Sequence, residues 1–350
     1  MAVQTVSSKS FIPLFSLDWL AVTIKDFQSF DDVFRELSRF LGEKIFSRGR
    51  GARGYSDSAD ILDGGFVAWS SDKPQNGIHV VLNARSLALL SGYSALELLQ
   101  FFYSLGGVAT RIDFAFDDMS GLLDLDVIAS YLRAGQVSTR WKMFQVVRGR
   151  SDVGKSDFQG YTIYVGSRKS ESFLRFYDKK AERENKGFEV EHEKWVRVEL
   201  ELKDKKAAKV FEICAGLVDD VEISEYVSGL LYGLIDFKAW SDTDVLISRV
   251  PTARFWKVFL RGVSKVNLSL PKKERSIDAL RGWIADTVAP SLAVVADLPR
   301  GDDWLKNVLR DGRARWKKKH RVLYFSQLDE DIDLLQKQVT LEDLRMAARL

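Results

Sequence analysis

Residues 111–117 read Arg-Ile-Asp-Phe-Ala-Phe-Asp, and residues 196–202 read Val-Arg-Val-Glu-Leu-Glu-Leu. Side chains alternate between the two faces of a strand. One face of the first segment therefore carries Arg111, Asp113 and Asp117, and the other carries Ile112, Phe114 and Phe116. The second segment sets Arg197, Glu199 and Glu201 against a wholly aliphatic face. In residues 173–177, Phe-Leu-Arg-Phe-Tyr, Arg175 and Tyr177 stand opposite Leu174 and Phe176. A polar face is ordinary in an antiparallel sheet, which often meets water on one side. The unusual feature is what these faces hold: four carboxylates, three arginines and a tyrosine.

Working outward, residues 16–24, 77–83 and 160–166 also read as strands, and residues 54–71 as a hairpin turning at Asp63-Gly64-Gly65. Helical spacing predicts helices near 30–41, 94–106 and 125–135, and residues 188–194 read as a polar connection. Beyond about residue 240 the strand pattern stops. Helices are expected over 255–263, 276–288, 303–311 and 328–350, with Pro251 and Pro271 marking turns. The prediction is an α+β chain: an antiparallel-sheet domain over residues 1–240, then a mostly helical C-terminal region over 241–350.

Composition narrows the function. The chain has 350 residues, 46% hydrophobic and 29% charged, which excludes wholesale disorder or a fibrous repeat. Cys214 is the only cysteine, so neither a disulfide framework nor a multi-thiolate zinc site can form. The three histidines, His79, His192 and His320, are far apart in sequence and form no metal-binding pair. Walker-type, dinucleotide-type and G-x-S-x-G motifs are missing, which demotes nucleotide-driven motors, dinucleotide enzymes and common serine hydrolases. No apolar run reaches a membrane-spanning length of about 18 residues, and the first residues make a poor secretory signal. The expected location is the cytoplasm. Net charge is only +3, but residues 300–321 carry nine Lys/Arg against three Asp.

Carboxylates on neighbouring strands repel one another, and a divalent cation resolves that repulsion. Hard oxygen ligands suit Mg²⁺ or Mn²⁺, and an adjacent arginine suits phosphate. A tyrosine hydroxyl on the same face can act as a covalent nucleophile, with Tyr177 and Tyr164 as candidates. Arg175 and Lys179 flank Tyr177 in sequence and are expected to favour its phenolate and neutralise phosphate. Residues 47–55, Ser-Arg-Gly-Arg-Gly-Ala-Arg-Gly-Tyr, place Arg48, Arg50 and Arg53 in a glycine-rich loop suited either to a phosphate backbone or to plain solvation. Tyr55 beside them could stack on a base. Residues 310–321 combine Arg315, Lys317, Lys318 and Lys319 with Trp316, and read equally as a DNA-backbone contact or a surface helix.

Four strings then look like one family: Thr110–Asp117 (TRIDFAFD), Tyr161–Ser170 (YTIYVGSRKS), Phe173–Glu182 (FLRFYDKKAE) and Trp195–Leu202 (WVRVELEL). In this order they resemble the replication initiation factor family, over roughly residues 16–202. That family includes rolling-circle initiators of small staphylococcal plasmids, relaxases of some conjugative elements and initiators of certain filamentous phages. The resemblance implies a nicking domain of rolling-circle initiator type. It implies Tyr177 as the attacking residue, supported by Arg175 and Lys179. Asp113, Asp117, Glu199 and Glu201 bind the metal or support its binding. Arg48, Arg50, Arg53, Arg111, Arg168, Arg197, Arg315, Lys317, Lys318 and Lys319 are the candidate DNA contacts. Many members carry a glutamate where this chain has Val81; His79 on the same face reads first as an ordinary strand histidine. Expected partners are single-stranded or distorted origin DNA, a host helicase and a DNA polymerase, with a homodimer as a further assembly and no membrane. Origin binding is expected from residues 241–350. The rival readings are a relaxase acting on a transfer origin, a non-catalytic origin or operator binder, and a metal nuclease that uses water.

Overall fold

The computed structural model describes residues 15–25, 27, 29–42, 50–149, 160–239, 246–266, 268, 277–316 and 324. Chain contacts divide it into two units, Met1–Leu270 and Pro271–Leu350. The first contains β1 (Phe15–Ile24), α1 (Phe30–Leu41), β2 (Asp57–Ile61), β3 (Gly65–Trp69), β4 (Ile78–Asn83), α2 (Ala84–Leu89) and α3 (Ala95–Ser104). It continues with β5 (Gly107–Asp118), α4 (Leu125–Arg133), β6 (Val137–Thr139), β7 (Phe144–Arg148), β8 (Tyr161–Val165) and β9 (Ser172–Asp178). Then come α5 (Lys179–Asn185), β10 (Val196–Lys203), α6 (Asp204–Ala215), α7 (Asp220–Leu234), β11 (Ile235–Phe237) and α8 (Arg254–Phe259). In the second unit, α9 (Ile277–Trp283) runs through a wide turn at 284–288 into α10 (Ala289–Ala296), followed by α11 (Gly301–Ala314).

Among the described residues, nine strands form one sheet in the order β2-β3-β4-β1-β5-β10-β9-β8-β7, and every pairing is antiparallel. β6 and β11 form a small second pair. The α+β architecture with a large antiparallel sheet and a helical C-terminal region is thus the one predicted. Alternation in the central strands sets its layers. Ile112, Phe114, Phe116, Leu174, Phe176, Val198, Leu200 and Leu202 are fully buried together with residues of α3, α4, α6, α7 and α8. At ~25 cal/mol per Å² of apolar area, a core of this extent fixes which face of each strand is left for chemistry.

The expected division at 240/241 moves to 270/271. Phe237 and Trp256 are fully buried in the first core, and both pack against Phe176 of β9 with ring centroids 5.9 and 6.1 Å away. The helix expected over 328–350 lies outside the described residues.

One glycine is dictated by the path into β4. Gly77 has φ +80° and ψ −171°, a region open essentially to glycine alone. A Cβ there would lie 2.5 Å from the Ile24 carbonyl oxygen. Gly77→Ala is expected to cost about 1–3 kcal/mol, read as a lower urea midpoint at unchanged slope. An unchanged midpoint would show that the turn relaxes without strain.

Candidate functional site

Register assembles the site. Across β9, β10 and β5, one row runs Tyr177–Arg197–Asp117, the next Arg175–Glu199–Ala115, and the third Phe173–Glu201–Asp113. Opposite charges therefore face each other directly at Arg197–Asp117 and Arg175–Glu199, and longer reaches join Arg175 to Asp113 and Arg111 to Glu201. Arg111 donates to both oxygens of Asp113, Nε to Oδ1 at 2.9 Å and Nη2 to Oδ2 at 2.6 Å, and Nη2 also reaches Glu201 at 3.0 Å. Its guanidinium lies 4.5 Å from the Trp19 ring centroid. Lys203 pairs with the other oxygen of Glu201 at 2.6 Å. Arg175 ion-pairs with Glu199 through Nη2, and the same nitrogen is 3.9 Å from Asp113 Oδ2.

The Tyr177 hydroxyl donates to Glu199 Oε1 at 2.5 Å, and Lys179 Nζ lies 3.4 Å from that hydroxyl. These groups line a cleft of about 490 Å³ with Trp19, Asn83, Arg85, Tyr164 and Lys186. Lys179 is itself held by Glu182 at 2.5 Å.

Burial dominates the titration of this cluster. It pushes the Asp113 carboxyl up to about 7, opposed by the Arg111 hydrogen bonds. It also raises Glu199, against the pull of Arg175. Tyr177 is raised well above the usual phenol value, first by burial and then by the Glu199 charge. This corrects the expectation that Arg175 and Lys179 favour phenolate: Arg175 is engaged by Glu199, and in this state the phenol stays protonated on the Glu199 carboxylate.

The four expected metal-binding acids do not converge on one point. Asp117 accepts from Arg197 at 2.8 and 2.7 Å and from the Trp195 indole at 2.6 Å. Glu201 is taken by Arg111 and Lys203. Among the described residues no group of three or more His, Cys, Asp or Glu is arranged to hold a metal. Asp113 and Glu201 share the Arg111 Nη2, at 2.6 and 3.0 Å, whereas Asp113 and Glu199, the pair that lines the cleft, face the Arg175 Nη2. A guanidinium between two buried carboxylates is a stand-in cation. The pair fits Mg²⁺ or Mn²⁺, which typically take one or two protein carboxylates and fill the remaining positions with water and substrate phosphate.

The expected DNA contacts separate into two groups. Arg197 and Arg111 are paired within the protein: Arg197 bridges Asp117 and, at 2.8 Å, Asp18, and Arg111 meets Asp113 and Glu201. Arg50, Arg53, Arg168 and Arg315 are exposed. Arg168 lies 5.0 Å from the Tyr164 ring, which stacks on Phe173 at 5.7 Å. Tyr164, the rival nucleophile, thus has its ring in an aromatic stack. Tyr55 stacks on His79, whose Nδ1 is 2.9 Å from the Thr23 hydroxyl, so His79 sits apart from the acids. Arg48, Lys317, Lys318 and Lys319 lie outside the described residues.

Asp18 was not foreseen. The β1–β5 register slips between Leu17 and Trp19, making Asp18 an extra residue whose carboxylate meets Arg197. An isolated aspartate gives no sequence signal for such a bulge.

A family model described as replication initiation factor matches residues 107–309. A curated relative, "Putative DNA relaxase NicK" of Bacillus subtilis (strain 168), is 23% identical over 295 residues, covering 81% of this chain and 82% of its own. A solved structure, described as a rolling circle replication initiator protein from Geobacillus stearothermophilus, is similar with a TM-score of 0.59 and 27% identity. That likeness covers 73% of this chain and 99% of the other.

Proposed function

Since the chain belongs to the replication initiation factor family, we propose that it is a site-specific DNA nicking–closing enzyme that starts rolling-circle replication through a 5′-phosphotyrosine. The observation that carries this reading is the Tyr177 hydroxyl, hydrogen-bonded to Glu199 within a cleft that also holds Arg175 and Lys179. A phenol paired with a carboxylate acceptor and set among cations has the parts of an activated nucleophile.

Tyr177 Oη attacks the scissile phosphorus while Glu199 Oε1 takes its proton. The P–O3′ bond breaks, the 5′-phosphate stays on the tyrosine, and the 3′-oxygen gains a proton to become the hydroxyl a polymerase extends. Arg175 and Lys179 neutralise the phosphate oxygens. Asp113 and Glu199 would hold a divalent ion, whose chemistry is to polarise the phosphate and stabilise charge in an in-line displacement. The phosphotyrosine keeps the phosphodiester energy, so rejoining needs no ATP. Exposed Arg50, Arg53 and Arg168 hold the backbone of single-stranded or distorted origin DNA. Residues 271–350, with Arg315, supply origin binding. A host helicase and polymerase act on the product in the cytoplasm of a bacterial cell, and a homodimer is a further assembly.

The test uses a labelled strand of the origin region with Mg²⁺ or Mn²⁺. Label is expected to remain on the protein after denaturation. Cleavage that leaves the protein unlabelled would replace this reading with a hydrolytic nuclease, and binding without cleavage would replace it with a non-catalytic binder.

The relative described as a relaxase favours a second reading, in which the same chemistry acts on a transfer origin. Placing the nicked sequence on a plasmid separates the two: autonomous replication supports the first, and mobilisation without replication supports the second.

A further inference from the structure

Two of the three arginines that line the cleft, Arg111 and Arg175, are in different states. Arg111 is fixed by three carboxylate contacts and the Trp19 ring. Arg175 has one close partner, Glu199, and a second carboxylate at 3.9 Å, and its buried Nε has no hydrogen-bond acceptor. A buried guanidinium N–H without an acceptor is destabilising, so Arg175 gains the most from an arriving anion. A phosphate presents several oxygens to a planar fork, which suits it to draw this side chain away from Glu199.

Resting on the nicking reading above, we propose that Arg175 serves as an internal counter-cation that a DNA phosphate displaces, so that the divalent ion and the DNA strand enter the cleft together. Without DNA, Arg175 Nη2 neutralises Glu199 Oε2 and lies 3.9 Å from Asp113 Oδ2, which Arg111 also holds. When a backbone phosphate takes the guanidinium, Asp113 keeps Arg111 while Glu199 Oε2 loses its ion-pair partner, and a buried carboxylate so stranded demands another cation. Arg175 thus holds Glu199 in one state and the phosphate in the other. By linkage, DNA strengthens metal binding by the same factor by which metal strengthens DNA binding. A chain bathed in Mg²⁺ but free of DNA would hold an unarmed site.

The test measures Mn²⁺ binding to the full-length protein through the electron paramagnetic resonance signal of free Mn²⁺, independently of nicking. Oligothymidylate is expected to tighten Mn²⁺ binding to the unaltered chain about tenfold or more, within the range usual for coupled sites. Arg175→Ala without DNA is expected to bind Mn²⁺ about as tightly as the unaltered chain does with DNA, and to gain little when DNA is added. Arg175→Lys keeps a cation in place and is expected to bind Mn²⁺ weakly until DNA arrives. Adding Glu199→Gln to Arg175→Ala is expected to remove the gained binding, which assigns it to this seat. The proposal is overturned if the DNA-free unaltered chain binds Mn²⁺ as tightly as its DNA complex. It is equally overturned if a folded Arg175→Ala binds no more tightly than the unaltered chain. Should Arg175→Ala fail to fold, the DNA dependence of the unaltered chain decides alone. Failure here with a covalent adduct still formed removes only the displacement. A DNA-coupled Mn²⁺ seat in a protein that never forms an adduct removes the nicking reading and leaves the displacement standing.

Discussion

Tyr177→Phe is expected to abolish covalent attachment to DNA and lower the nicking rate by at least about 10³-fold, the scale on which losing a covalent nucleophile acts. No neighbouring group replaces it. Tyr164, the other tyrosine on this face, has its ring stacked on Phe173 and beneath Arg168. The variant loses one hydrogen bond to Glu199, whose second oxygen remains paired with Arg175, so stability falls by only about 1 kcal/mol. DNA affinity holds, because lysine and arginine contacts to phosphate supply most of it. Burial and the Glu199 charge keep the phenol protonated, so attack depends on a proton acceptor rather than on phenolate formed in advance. Denaturing gels, unfolding curves and a binding titration on the same preparation check the three statements together. An adduct persisting in Tyr177→Phe, or disappearing only in Tyr164→Phe, would move the nucleophile elsewhere.

The sheet was legible because its central strands alternate without interruption. In Arg111–Asp117 and Val196–Leu202, every buried position is aliphatic, aromatic or alanine except the acids that face the cleft. Strand composition also showed which side chains share a face. It could not show their cross-strand partners, since those depend on a register fixed by turns and bulges elsewhere. The expected cluster of four acids therefore became two arginine-bound groups, one around Asp113, Glu199 and Glu201 and the other around Asp117. Two helices over Asp204–Leu234 escaped notice for a different reason. α7 buries Ile223, Val227, Ser228, Gly229, Leu230 and Leu231, so its apolar pattern spreads around the helix instead of forming a stripe. Gly229 looks like a helix breaker, yet a Cβ there would lie 2.5 Å from the Ser264 carbonyl oxygen. Close approach of the 263–266 segment explains that glycine, and a contact so distant in sequence leaves no local trace.

Arg197→Ala is expected to destabilise the protein by about 1–3 kcal/mol, because it leaves two partly buried carboxylates without their cation. Arg197 is only 11% exposed at its side chain and joins Asp18 to Asp117, at 20% and 24%. Burial opposes its charge, yet the Asp117 hydrogen bonds and the neighbouring acids outweigh that and raise its pKa above the ordinary arginine value. Removing the guanidinium strands both carboxylates at the bulge of β1, where Asp18 has no second basic partner among the described residues. Trp195 still donates to Asp117, which keeps the loss below that of a fully orphaned pair. Arg197→Lys is expected to recover little, since an ammonium cannot span Nε and Nη2 contacts to Asp117 while also reaching Asp18. Urea unfolding separates this structural role from DNA contact. A variant of unaltered stability with weakened, less salt-dependent DNA binding would return Arg197 to the phosphate-binding set. A lowered midpoint, with affinity kept in the folded fraction, means that the row Tyr177–Arg197–Asp117 anchors the nucleophile's strand from beneath rather than gripping the substrate.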